Sequence, residues 1–313
     1  TASCTNAAEY KVIMEAVEEW RGGAKEINTM IKQRLRQWVL EMIQLFAEQG
    51  GDSLAFASFC NQIGTGLQEH GDYDKALDYY FKALPIYESV NGVDDTETAT
   101  TYNNIGMVFD HMGDAEKALS FLFQALKGRE LRLGVDHLLT GETYTNIGFV
   151  YESMGDYTNT LTYAFKALAA NEKHLGEDHQ DLAASYSNVA SVYRSMKEFE
   201  HSLKFYLKAL VILEKQGSDH PSTATAYNNI GMAYKSIKDF KNALQYYAMA
   251  LIIAEKQMGT DHPITAMSYT NIGLAYSEAN EHDKSLEFLF KALRIRERHF
   301  GPEHPHTRHS CMN

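Results

Sequence analysis

Residues 222–256 read STATAYNNIGMAYKSIKDFKNALQYYAMALIIAEK, and this stretch decides the fold. Tyr227, Ile230, Gly231 and Tyr234 fall at helical spacing. Lys238-Asp239-Phe240 then marks a turn, and Ala243, Tyr247, Ala250 and Leu251 continue the helical period on a second segment. Apolar residues recurring at three and four positions define one buried helix face, so the stretch predicts two amphipathic helices joined by a short turn. A small residue, Gly231, stands where the helices must cross, because a larger side chain there would push their axes apart.

The same pattern recurs along the chain. The segments NQIG, NNIG, TNIG, SNVA, NNIG and TNIG end at Gly64, Gly106, Gly148, Ala190, Gly231 and Gly273, in steps of 42, 42, 42, 41 and 42 residues. Ala83, Ala125, Ala167, Ala209, Ala250 and Ala292 repeat those steps in the second helix. A thin helical hairpin cannot bury its own apolar face, so units of this period stack to make a continuous core. The second helix of each unit is expected to end in left-handed backbone at Gly134, Gly176, Gly217, Gly259 or Gly301. Asp-His-Pro follows at 219–221 and 261–263, with proline where the next helix begins.

The order I-G-x-x-Y, then G-D-Y, then A-x-x-x-Y-x-x-A resembles the tetratricopeptide repeat. It is complete over Gly64–Ala83 apart from Leu67 in the tyrosine place. That resemblance implies an all-α, right-handed superhelical solenoid of antiparallel helix pairs. The usual unit has about 34 residues. The longer unit here, with Leu175-Gly176-Glu177-Asp178-His179 and Met258-Gly259-Thr260-Asp261-His262-Pro263-Ile264-Thr265, resembles the repeats of kinesin light chains and nephrocystin-3-like proteins. Departures are Ala190 for glycine, Thr160, Ser202 and Ser285 for alanine, and Pro85 inside a second helix. The expected organisation is a helical N-terminal capping segment at 1–54, six units at 55–301, and the start of a truncated seventh unit at 302–313. Residues 8–48 also carry an apolar stripe, from Ile27 to Leu45, that a coiled coil would share; Gly22-Gly23 interrupts it, which favours a capping hairpin.

Composition narrows the function classes. The chain has 313 residues, 41 acidic against 29 basic, for a formal net charge of −12. That balance, without any Lys/Arg block, argues against nucleic acid or an anionic membrane as the partner. No apolar run is long enough to span a bilayer, and no basic-then-apolar leader opens the chain. Cys4, Cys60 and Cys311 are too few and scattered for a disulfide framework. A reducing, cytoplasmic location is the expectation. His137, His179, His220, His262 and His304 recur once per unit, too far apart to share one metal ion, and are expected to serve the linkers and helix starts. The denser His304, His306, His309 and Cys311 match no strong zinc spacing. No phosphate-binding loop, H-E-x-x-H helix or nucleophile elbow is present, so no cofactor and no enzymatic activity are expected.

The resemblance implies that the first helix of each unit lines a concave wall. At about 100° per residue, the residues two before and one after the small residue face away from the second helix. The first set is Gln62, then Asn104, Asn146, Asn188, Asn229 and Asn271; the second is Thr65, Met107, Phe149, Ser191, Met232 and Leu274. Amides can pair with the backbone of an extended peptide, and Met, Phe and Leu offer adaptable apolar contacts. Tetratricopeptide domains commonly hold peptides through an asparagine at this place, which the resemblance carries onto the five asparagines. The bland alternatives are amides bonded to neighbouring helices and apolar residues packed between repeats. Four positions after the small residue stand Gln68, Asp110, Glu152, Arg194, Lys235 and Ser277; Arg194 and Lys235 could attract acidic ligand residues or be solvated charges. Kinesin light chain ligands, typically a tryptophan among acidic residues, fit in sign. Glu69, Glu142 and Glu278 would oppose such a ligand elsewhere, and the lysine clamp of chaperone-binding relatives is absent. The expectation is an adaptor that captures a partner's extended peptide; the alternative is a scaffold that assembles through its convex face or ends.

Overall fold

The computed structural model of the chain describes residues 53–301, all of whose regular elements are helices. The capping segment expected before residue 53, and the seventh-unit start with its His/Cys cluster, lie outside the described residues. The chain divides after Val135 into two compact units. The first holds α1 (Ser53–Glu69), α2 (Tyr73–Val90), α3 (Thr96–His111) and α4 (Ala115–Leu133). The second holds α5 (Leu138–Ser153), α6 (Tyr157–His174), α7 (Gln180–Ser195), α8 (Phe199–Gln216), α9 (Pro221–Ser236), α10 (Phe240–Met258), α11 (Pro263–Glu278) and α12 (His282–Phe300).

Consecutive helices pair as hairpins, α1 with α2 through α11 with α12. Within the first unit α2 also packs on α3; within the second, α6 packs on α7, α8 on α9 and α10 on α11. The repeat alanines and tyrosines supply the core: Ala83, Ala125, Ala209 and Ala250 are buried, as are Tyr80, Tyr206 and Tyr247. Pro85 sits inside α2 without ending it, with its ring on the exposed side.

The recurrent linker explains itself atom by atom. His137, His179, His220 and His262 take extended backbone and cap α5, α7, α9 and α11, their Nδ1 atoms accepting the N–H two residues on at 3.2–3.3 Å. This satisfies one of the donors that a helix start leaves open. Pro221 and Pro263 stand at the first helical position. The buried hydroxyls of Thr223 and Thr265 donate to the carbonyls of Gly217 and Gly259, at 2.9 and 2.7 Å. The linker aspartates are held by the cation 37 residues on, as in Lys215–Asp178 at 2.6 Å and in Lys173–Asp136, Lys256–Asp219 and Arg298–Asp261. These pairs are exposed and individually weak. Neighbouring repeats are tied by a tyrosine to a glutamate: Tyr186 donates to Glu172 at 2.7 Å and Tyr227 to Glu214 at 2.6 Å.

Two expectations about glycine change. Gly134, Gly259 and Gly301 do end helices with positive φ (92°, 88° and 81°), but their ψ of 162–164° is extended rather than left-handed helical. That corner of φ/ψ space is almost reserved to glycine. Gly176 has no positive φ; α6 ends at His174 and Leu175 carries the chain away in extended form. Apart from Gly92 (φ 95°) in the α2–α3 linker and Gly217 after α8, the other positive-φ positions lie in the turn inside each hairpin. They are glycines in the first three repeats (Gly71, Gly113, Gly155) and Lys197, Lys238 and Asn280 in the last three.

Candidate functional site

The first helices of the second unit are α5, α7, α9 and α11, and each presents one ladder asparagine. Asn146, Asn188, Asn229 and Asn271 are all half-buried, as is Asn104 on α3 of the first unit. Their settings differ. Asn271 donates through Nδ2 to Oδ1 of Asn228 on α9, at 2.6 Å, so here the amide does join neighbouring helices. Asn188 instead lines a cavity together with Phe149 and Ser191. The amides of Asn104, Asn188 and Asn229 make no side-chain hydrogen bond among the described residues and remain available for a ligand's backbone.

The apolar positions divide in the same way. Phe149 is 42% exposed. Met232 packs against Ala243, Tyr247, Ile272 and Ala275, and its sulfur takes the Asn228 amide at 3.7 Å, so it fills space between repeats. Met107 is half-buried on α3. Of the two cations, Lys235 is paired with Glu278 at 2.9 Å, which cancels much of its pull on an acidic ligand. Arg194 has no carboxylate partner among the described residues, and its Nε is buried without a hydrogen-bond partner. At the matching place on α3, burial pushes the Asp110 carboxyl up, against a smaller opposing pull from His111.

Two concavities belong to this face of the second unit. One, of about 100 Å³, lies among α5, α6 and α7 and is lined by Thr145, Gly148, Phe149, Glu152, Ala164 and Asn188, among others. The other, of about 320 Å³, lies among α9, α10 and α11 beside Asn228 and Asn271, with exposed Ile264 and Met267 on its wall. Ala164 is not among the site residues that the sequence pattern suggests. The signal was present: 16 residues after the small residue of the other repeats come Tyr80, Leu122, Tyr206, Tyr247 and Leu289. Among the described residues no group of three or more His, Cys, Asp or Glu side chains converges as a metal site.

The repeat grammar, the hairpins and their stacking match one family model, described as tetratricopeptide repeat, over residues 55–131, 139–215, 181–256 and 222–298. The chain belongs to the tetratricopeptide repeat family. Solved structures agree in fold. The nearly identical TPR-like repeats of a kinesin light chain candidate from Podosopora anserina match at 17% identity and a TM-score of 0.59, over 64% of this chain and 96% of that one. BtubC (BKLC) from P. vanneervenii matches at 23% identity and 0.61, over 75% and 92%. The apo form of RapI matches at 18% and 0.71, over 92% and 77%. Identities this low speak to the tetratricopeptide architecture alone. A comparison with curated proteins finds no match.

Proposed function

We propose that the second unit captures an extended peptide of a partner protein along the face formed by α5, α7, α9 and α11. Tetratricopeptide arrays are protein–protein interaction modules, and no described helix is long and apolar enough to cross a membrane. The observation that carries the finer reading is Asn188, an uncommitted amide on the wall of a cavity whose mouth holds the exposed Phe149. Amides of this kind fix a peptide backbone while the cavity takes a side chain. Asn229 continues the row, and Arg194 supplies a cation for an acidic residue of the ligand. Lys235, held by Glu278, contributes less charge than its position suggests. The 42-residue unit and its Asp-His-Pro linker, similar to kinesin light chain repeats, support a cargo or complex adaptor.

The test is a peptide-array screen on the full chain, including tryptophan-acidic sequences, followed by titration of the best binder. Asn188→Ala with Asn229→Ala should weaken binding at least tenfold while helicity by circular dichroism stays unchanged. Arg194→Glu should weaken acidic peptides selectively, with the difference shrinking as salt rises. Undiminished binding by the double variant would move the contact elsewhere. A second reading, that the row is structural, is favoured for the last repeat by the Asn271–Asn228 bond.

A further inference from the structure

Five of the six hairpins among the described residues close their crossing with a large side chain. A Cβ built on Gly64 would lie 2.7 Å from the Tyr80 ring, on Gly231 2.7 Å from the Tyr247 ring, on Gly106 2.7 Å from Leu122 Cγ, and on Gly273 2.8 Å from Leu289 Cγ. Tyr206 packs in the same cluster as Ala190 in the fourth repeat. The third repeat breaks the rule. Ala164 holds the place of the large residue and lines the same cavity as Gly148, where a Cβ would meet only the Thr160 carbonyl oxygen at 3.7 Å and Tyr163 Cβ at 3.8 Å. The cavity of about 100 Å³ is the space so left. It approaches the size of engineered cavities, about 150 Å³, that take up benzene.

The chain itself shows what fits such a place. In the first repeat Tyr80 lies across Gly64 and its hydroxyl donates to Gln68 Oε1 at 2.9 Å, with Thr65 Oγ1 3.2 Å away. Gln68 stands four residues after the glycine. Four residues after Gly148 stands Glu152, and its side chain lines the cavity. The third repeat therefore keeps the glycine and a hydrogen-bond acceptor four residues on, both lining the cavity, while lacking the phenol. Phe149, at the place of Thr65, adds an aromatic wall at the opening. We infer that this cavity is a receptor for a tyrosine side chain presented by the partner peptide, with the ring over Gly148 and the hydroxyl donated to Glu152. The inference rests on the peptide-capture reading and names its anchor residue. It also explains why repeat three can carry alanine where its neighbours need bulk: the missing side chain arrives in trans.

The test uses the full chain and p-cresol, the isolated tyrosine side chain, with toluene as the analogue lacking the hydroxyl. Calorimetric or NMR titration should give saturable binding of p-cresol, several-fold tighter than toluene. Glu152→Leu should erase that preference, and Glu152→Gln, which recreates the Gln68 arrangement, should keep it. Ala164→Tyr fills the cavity from within and should cut p-cresol binding at least tenfold without loss of helicity. If that variant misfolds, Ala164→Leu, copied from the second and sixth repeats, makes the same test. No saturable p-cresol binding, or binding unchanged by the filled variants, overturns the inference. A peptide that needs Asn188 yet ignores Ala164→Tyr would leave the groove standing and remove the tyrosine receptor. p-Cresol binding without any peptide capture would remove the peptide reading, and the partner's tyrosine with it.

Discussion

The third and fifth repeats are built from the same grammar and packed differently. Repeat five turns at Lys238, crosses its helices at Gly231 under Tyr247, and pairs Lys235 with Glu278. Repeat three turns at Gly155, has Ala164 at the place of Tyr247, and leaves Gly148, Ala164 and Glu152 on the wall of a cavity. One repeat has spent its side chains on the fold, and the other has kept a glycine whose steric reason is absent. The lesson is that a repeat's motif specifies the hairpin, whereas the residue facing the motif specifies whether the hairpin is closed or receptive.

The largest expected effect comes from making repeat five into repeat three. Tyr247→Ala removes a buried ring that burial, reinforced by Glu278, keeps protonated, and should cost about 3–5 kcal/mol in urea unfolding. A loss under about 1 kcal/mol would show that the crossing collapses and that the repeats are less alike than drawn. Next is a sign reversal at the crossing glycine. Gly231→Ala drives a methyl group into the Tyr247 ring and should destabilise by about 1–3 kcal/mol. Gly148→Ala meets only ordinary contacts and should stabilise by about 0.5–1 kcal/mol, through the helix preference of alanine. Equal signs would sink the comparison.

A gain of about 1 kcal/mol is expected from Lys238→Gly, because φ of 62° is strained for a side-chain-bearing residue and free for glycine. Gly155→Lys should lose a similar amount, and thermal melts read both. The mildest effect is alkaline. Burial first, and the Glu214 hydrogen bond second, push the Tyr227 hydroxyl from its ordinary 10.0 up to about 12. Above pH 10 the unfolded chain gives up that proton before the folded one does, so stability falls as pH rises and levels off past pH 12. Tyr227→Phe should make that limb shallower; an unchanged slope would assign it to other groups.

Much of this was legible in the residues. The 42-residue register matches the six hairpins among the described residues, and the once-per-unit histidines mark helix starts, where they do cap α5, α7, α9 and α11. The asparagine row was visible as spacing, but its division was not. Asn271 meets Asn228 across 43 positions of sequence, and Lys235 meets Glu278 across the same distance. Helical periodicity gives the direction of a side chain and says nothing about which side chain of the next repeat stands opposite. Gly176 shows the local limit as well: its counterparts Gly134 and Gly259 have positive φ, yet here Leu175 already turns the chain outward and glycine has no strain to relieve.

The sequence by itself determined the period, the hairpins, their histidine starts and the family, because each is carried by motifs of residues within a few turns of one another. Only the tertiary structure decided which repeat is open. Gly148 and Ala164 lie 16 residues apart on facing helices, and Asn188 reaches the same cavity from the next repeat. Whether such residues enclose space depends on how closely two helix axes approach, a distance set by packing of both helices together and written in neither alone.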